Sequence, residues 1–161
     1  MEHTYFIRPL KNTDADRMLE WMQNEKVTRY LNIGGSTTTL ASVLKFISEA
    51  KDESINVHRA VVDENDRYCG TVSLKNIDRE KHEAEYAIAL HEDAHGTGAA
   101  MAATEQIAKF AVEKMDLQRL YLCVRPENMR AIGFYKKCGW MPCSTVGEET
   151  SKMLWFERPT V

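Results

Sequence analysis

Apolar and polar positions along this chain switch between a period of two and a period near 3.6, and the switches mark out its elements. Tyr5 to Arg8 reads as a short strand ended by Pro9. From Asp14 to Asn24, Ala15, Met18, Leu19 and Met22 fall at helical spacing. After the loop Gly34-Gly35-Ser36, Thr38 or Thr39 caps a second helix with Leu40, Val43, Leu44 and Ile47 on one stripe. Three strand candidates follow, at Arg59–Val62, Tyr68–Lys75 and Ala84–Leu90, and the turn Asp63-Glu64-Asn65-Asp66 joins the first two. Gly96 and Gly98 open a long helix. Its buried stripe is expected to hold Met101, Ala108, Ala111 or Val112, and Met115, with Glu105, Lys109 and Glu113 outside. Leu120–Val124 is continuously apolar, as in a buried strand. Asn128 caps a shorter helix that Gly139 ends. Met141–Val146 and Lys152–Phe156 flank Gly147-Glu148-Glu149 as a last hairpin. The order β-α-α-β-β-β-α-β-α-β-β predicts an α/β (α+β) domain, a mixed sheet of about seven strands flanked by four helices on both faces.

Composition narrows the functional classes. The chain has 161 residues, 43% hydrophobic and 28% charged, with a formal net charge of −3. It is expected to form a single domain over residues 1–161. With no basic run, a nucleic-acid partner is not expected. No apolar stretch approaches the roughly 20 residues of a membrane span, and the opening Met1-Glu2-His3-Thr4 lacks the basic and apolar regions of a signal peptide. Cys69, Cys123, Cys138 and Cys143 form no CxxC pair. They are expected to be reduced thiols in a cytoplasmic protein.

Chemistry concentrates in three segments. In His95-Gly96-Thr97-Gly98-Ala99-Ala100, small residues sit between a strand and a long helix, so a ligand can approach free N–H groups suited to a pyrophosphate; a tight turn with close helix packing fits equally well. A dinucleotide fingerprint fails because Met101 stands at its third glycine, and no Gly-Lys-Ser/Thr exists for a P-loop. An overlapping stretch, His91-Glu92-Asp93-Ala94-His95, matches the zinc motif H-E-x-x-H, which requires a helix. Its place between a strand and two glycines argues for surface histidines, and no metal is expected. In the second segment, Asn128 and Tyr135 are seven residues apart on one helix face. In the third, Glu83 and Glu85 share one face of a strand, opposite Ala84 and Tyr86. That face is either solvated or, because Glu85 leads to the glycine turn, the seat of a base.

Together these segments resemble the GNAT N-acetyltransferase superfamily. The family's coenzyme motif, Gln/Arg-x-x-Gly-x-Gly/Ala, is matched by Asp93-Ala94-His95-Gly96-Thr97-Gly98. Its Asn-x-x-Ala-x-x-x-Tyr-x-x-x-Gly-Phe/Trp signature is matched by Asn128, Ala131, Tyr135, Gly139 and Trp140. Ile7-Arg8-Pro9-Leu10 and Glu20-Trp21-Met22 look like the ribosomal-protein and small-molecule acetyltransferase branch. Asp93 departs from the usual Gln or Arg and Thr97 from a common basic residue, which shifts phosphate binding towards backbone N–H groups. Where some relatives carry a catalytic Glu before Asn128 this chain has Cys123, which leaves Glu85 as the base, with Glu83 behind it.

The resemblance implies a mostly antiparallel sheet and acetyl transfer from acetyl-coenzyme A to a primary amine, without a metal. It places the pantetheine arm along Ile88-Ala89-Leu90 and the pyrophosphate on the turn from His95 through Gly96, Thr97, Gly98 and Ala99 to Ala100, with Asn128 and Tyr135 on the same ligand. Glu85 would take the amine's proton and Tyr135 would protonate the departing thiolate. The acceptor is left open among an amino-sugar, a polyamine, another small amine and a protein N-terminus, its mouth bordered by Asn32–Thr39 and the hairpin around Gly147. Self-association as a homodimer is also left open. The alternatives are a non-catalytic acyl-coenzyme A sensor and a zinc hydrolase.

Overall fold

The computed structural model describes residues 3–31, 35, 37–143 and 153–160. Seven strands form one sheet: β1 (Phe6–Pro9), β2 (Val57–Val62), β3 (Tyr68–Asp78), β4 (Glu83–Leu90), β5 (Arg119–Val124), β6 (Met141–Pro142) and β7 (Leu154–Pro159), in the order β1-β2-β3-β4-β5-β7-β6. Every neighbouring pair is antiparallel except β4 and β5. The mixed, mostly antiparallel sheet is therefore as expected. The turn of the last hairpin, with Val146 and Gly147, lies outside the described residues, as do Asn32–Gly34 and Ser36 of the first loop.

Among the described residues five α-helices accompany the sheet rather than four: α1 (Ala15–Met22), α2 (Glu25–Thr28), α3 (Leu40–Glu49), α4 (Ala99–Met115) and α5 (Met129–Lys137). The extra one, α2, is a single turn started by Asn24, whose side chain accepts the Lys26 N–H at 3.0 Å. Asn24 thus ends the first helix and caps another, which apolar spacing alone does not reveal.

Helices cover both faces. On one, Ala15, Met18 and Trp21 of α1 and Val43 and Ile47 of α3 pack on Ala60, Val62, Tyr68 and Ala89. On the other, Ala99, Ala103, Ile107 and Ala111 of α4 pack on Val57, Val61, Val72, Leu74 and Tyr86. Two stripes differ from expectation. Met101 is 43% exposed, because it lies on the four-residue row of Glu105, Lys109 and Glu113. The alanine row beside it faces inward and lets α4 approach the strands closely. Leu40 and Leu44 are also exposed, and only Val43 and Ile47 of that stripe are buried.

A bulge sets which residues of β3 face which helices. Val61 pairs with Gly70 and Val62 with Tyr68, so Cys69 is the extra residue. Beyond it Thr71, Ser73 and Lys75 point to the α1–α3 side, while Val72 and Leu74 point to α4.

Candidate active site

The sheet opens in the middle. β4 pairs with β3 from Glu83 to Leu90, but with β5 only at Glu83↔Arg119, Ala84↔Leu120 and Glu85↔Tyr121. β5 runs on to Val124 against β7, so the two parallel strands splay beyond Tyr86 and Leu122. The His91 N–H donates to the Cys69 carbonyl at 2.7 Å. Alternation back from that bond turns the Ala87 and Ala89 backbone to β3 and that of Ile88 and Leu90 towards the gap. A cleft of about 390 Å³ occupies the splay, lined by Glu85 to Ala89, Leu122, Cys123 and Tyr135, with α1 and α3 side chains opposite.

The two candidate carboxylates have different surroundings. Glu83 meets Arg119 at 3.1 Å, and the same guanidinium holds Glu157 at 2.7 Å. Glu85 lines the cleft. It accepts a hydrogen bond from the Asn76 amide at 3.1 Å, faces the Lys75 ammonium at 3.8 Å and has the Cys123 thiol at 4.0 Å. Burial pushes that thiol's pKa up, with the Glu85 charge acting the same way, so Cys123 stays protonated beside the carboxylate.

Tyr135 reaches the cleft from α5. Its ring packs edge-on to Tyr86 and near Trp140, with centroids 6.3 and 5.9 Å away. Burial pushes its phenol up to about 12. Asn128, two turns earlier, is spent differently. Its side-chain oxygen accepts the Ala131 N–H at 3.3 Å as the cap of α5. Among the cleft-lining residues of α5, Tyr135 appears and Asn128 does not.

The glycine turn leads straight into α4, with Gly98 as its N-cap. Gly96 and Gly98 sit at φ +74° and +90°, a region that L side chains rarely adopt, and no atom lies within 4 Å of where a Cβ would stand. The first N–H groups of α4 have no partner within the helix. The Thr97 hydroxyl donates to the Ala94 carbonyl at 2.6 Å and accepts the Ala99 N–H at 3.4 Å, so it partners the first of these groups weakly. Asp93 points aside as well, paired with Arg17 at 3.0 Å and Arg67 at 3.3 Å. Burial alone would raise its carboxyl, but Arg17, His91 and Arg67 together outweigh it and the net shift is downward.

The H-E-x-x-H stretch is a single 3₁₀ turn, Glu92–Ala94, rather than an α-helix. Its imidazoles part company: His91 Nε2 lies 2.6 Å from Glu20, whereas His95 Nε2 lies 3.1 Å from the Leu90 carbonyl. The shared face that a zinc pair needs is not formed. His95 instead ties the end of β4 to the glycine turn.

A splayed parallel strand pair beside a glycine turn at a helix N-terminus can receive an extended, phosphate-bearing ligand. The family model described as an acetyltransferase (GNAT) domain matches residues 5–141. The chain belongs to the GNAT family. Its reaction is the transfer of an acetyl group from acetyl-coenzyme A to an amine nitrogen. An uncharacterized N-acetyltransferase p20 of Bacillus licheniformis is 27% identical over 78% of this chain and 72% of the relative. A spermidine N(1)-acetyltransferase of Escherichia coli (strain K12) is also 27% identical, over 86% and 73%. A crystal structure of spermidine N-acetyltransferase from Vibrio cholerae, in complex with CoA and spermine, superposes with a TM-score of 0.84. At 18% identity it covers 97% of this chain and 95% of that one, which shows the shared fold. The sensor and zinc-hydrolase alternatives gain no support.

The GNAT motifs draw attention to the coenzyme side, and the residues that sequence reasoning missed are on the other side. His58 pairs with Ser73 across β2 and β3, its Nδ1 2.6 Å from the Ser73 hydroxyl, and both line the cleft. Burial, helped by Lys75 and Arg59, lowers the His58 imidazole to about 4. Trp21 donates its indole N–H to the Tyr68 hydroxyl at 2.9 Å, and that hydroxyl lies 2.7 Å from Thr71 Oγ1. Gly70 is a further omission. A Cβ there would stand 2.8 Å from Leu90 Cα, so only glycine lets β3 lie this close to the end of β4. Such contacts come from cross-strand register, which no local pattern encodes.

Proposed function

We propose that this N-acetyltransferase acts on the primary amine of a small molecule, with Glu85 as general base and Tyr135 as donor to the leaving sulfur. The observation that carries this reading is the splay of β4 from β5, which puts both side chains on one cleft. The pantetheine arm would lie along Ile88, Ala89 and Leu90 and pair with the backbone of Ile88 and Leu90, the two that face the gap. The pyrophosphate would lie on the amides from Gly96 through Thr97, Gly98 and Ala99 to Ala100, with His95 bracing the turn and Asn128 holding α5 in place.

An alkylammonium of pKa ~10.4 is about one part in a thousand neutral near pH 7.4, so a base is needed. Glu85, directly or through a water, takes that proton, and the nitrogen lone pair attacks the thioester carbonyl. The carbonyl oxygen becomes an oxyanion, and the Leu90 N–H is the backbone donor aimed at the gap to stabilise it. Collapse breaks the C–S bond. Full proton transfer from a phenol at about 12 to a thiolate of ordinary affinity, ~8.5, runs uphill by roughly 3–4 pK units. Tyr135 therefore works chiefly by donating a hydrogen bond to the developing thiolate, which takes, directly or through water, the second proton that the attacking nitrogen sheds as the amide forms.

The small-molecule reading draws on the names of the relatives, two of which are spermidine acetyltransferases. The chain is read as one acetyltransferase domain over residues 1–161. A cytoplasmic site of action is supported by four free cysteines, and no helix among the described residues is long and apolar enough to cross a membrane. A homodimer is part of the proposal, since Met141 and Leu154 are exposed on the β6–β7 side of the sheet. Light scattering reads it.

Two measurements test the site. Coenzyme A release across a panel of amines identifies acceptors. Gly98→Asp, which adds bulk and a like charge where the pyrophosphate would sit, should abolish acetyl-coenzyme A binding by calorimetry; unchanged affinity in the folded variant would remove the glycine turn from the proposal.

A further inference from the structure

We infer that the acceptor is a primary amine on one uncharged, ring-sized apolar body, not a polyammonium chain. This rests on the reading of Glu85 as the base and narrows it to a substrate class.

Charge among the described lining residues is distributed for a single ammonium. Among the described lining residues the one carboxylate is Glu85. Directly across the β3–β4 ladder from it stands Lys75, which lines the same cleft with its ammonium 3.8 Å from that carboxylate. The field of Lys75 reaches further along the floor, where it helps to keep the His58 imidazole neutral. His58, uncharged near neutral pH, offers an ammonium no anion, only ring atoms that can hydrogen-bond. The first ammonium of a polyamine can meet Glu85. A second one, a few methylenes on, would be desolvated with no carboxylate to meet it among the described lining residues, and the Lys75 charge adds repulsion of the same sign.

The opposite wall is apolar and firmly held. Met18 and Trp21 are fully packed, the indole fixed by its bond to Tyr68. Met22, Leu31 and Phe46 are half-buried and give their remaining surface to the cleft. Phe46 is itself placed by an edge contact with the His58 ring at 4.8 Å. Thioether, indole and phenyl surfaces around one opening suit a flat apolar body, which gains by leaving water. The polyamine neighbours share the fold at 18% identity, and their acceptors do not carry over with it.

The test compares 2-phenylethylamine, spermidine and ethylamine as acceptors for the full chain, with phenylalanine as the carboxylate-bearing control. 2-Phenylethylamine should exceed spermidine and phenylalanine by at least about tenfold in kcat/KM. Phe46→Ala should cut its kcat/KM by about tenfold and lower that of ethylamine by much less, so that the ratio of the two falls several-fold. Lys75→Gln should raise spermidine several-fold relative to 2-phenylethylamine. Spermidine or phenylalanine outrunning 2-phenylethylamine, or a ratio unmoved by both substitutions, would overturn the inference. If Glu85→Gln still slows whichever amine reacts, the base assignment survives that failure. If it slows none, the underlying reading falls instead.

Discussion

β4 begins as an interior strand and ends as one wall of a cleft, and its two glutamates record the change. Glu83 sits where β4 and β5 are laddered, gripped by a guanidinium that also holds Glu157. Two residues later on the same face, Glu85 meets an amide, a lysine at 3.8 Å and a thiol, with the cleft beside it. Residue type and strand face are identical. What separates a structural carboxylate from a candidate base here is access: the ladder closes over one and parts at the other.

The sharpest way to break that comparison is to neutralise each carboxylate in turn. Glu85→Gln should lower kcat by roughly 10²–10⁴ with coenzyme affinity nearly unchanged, and should raise the pH optimum because solvent must then deprotonate the amine. Glu83→Gln should leave kcat within a few-fold and cost stability, since Arg119 loses a partner. A larger kcat defect in Glu83→Gln would reverse the assignment.

Next in size is Tyr135→Phe, which keeps the ring packing and removes the hydroxyl. Turnover should fall by about 10²-fold with normal acetyl-coenzyme A binding. A thioester with a better leaving group should recover much of the loss, because its thiolate needs less help. An equal loss on both thioesters would reduce the hydroxyl to positioning.

Gly70→Ala probes the open end of β4 from its other side. The added methyl meets Leu90, an overpacking of about 1–3 kcal/mol in urea unfolding, and should raise the KM for acetyl-coenzyme A by shifting the strand that receives it. Unchanged stability and KM would mean that the strand end yields freely.

The smallest effect is the pH dependence contributed by His58. Its folded imidazole lies near 4, below the ordinary 6.5, so between those values the unfolded chain binds the proton that the folded chain refuses. Stability from this residue is therefore complete above about pH 6.5 and falls as pH drops towards 4. With its partial exposure the loss is about 1–2 kcal/mol. His58→Gln should flatten urea midpoints between pH 7 and 4; an unaltered slope would assign the dependence elsewhere.

Local pattern made much of this molecule legible. The strands, the Asn128 cap, the glycine turn and the Asn/Tyr helix all follow from spacing and small residues, and the family motifs follow from those. Met101 shows the limit: its apolar character suggested the core, but its four-residue row is the charged one. The cleft floor was hidden for another reason. His58, Ser73, Lys75 and Glu85 come from three strands, and only the register after the Cys69 bulge sets them side by side. Nor does any run of residues announce where two parallel strands stop pairing.

That short pairing has a mechanical consequence. Among the described residues, β1–β4 make one antiparallel plate and β5, β7 and β6 another, and the ladder between the plates is three residue pairs long. Such a seam has fewer ladder pairs to break than the β3–β4 and β5–β7 ladders on either side of it, although one buried core spans both plates. A coenzyme arm laid along Ile88 and Leu90 would then be a rivet as well as a reactant. Amide exchange along the seam should slow when acetyl-coenzyme A is bound and recover on product release, so each turnover stiffens the sheet and slackens it again.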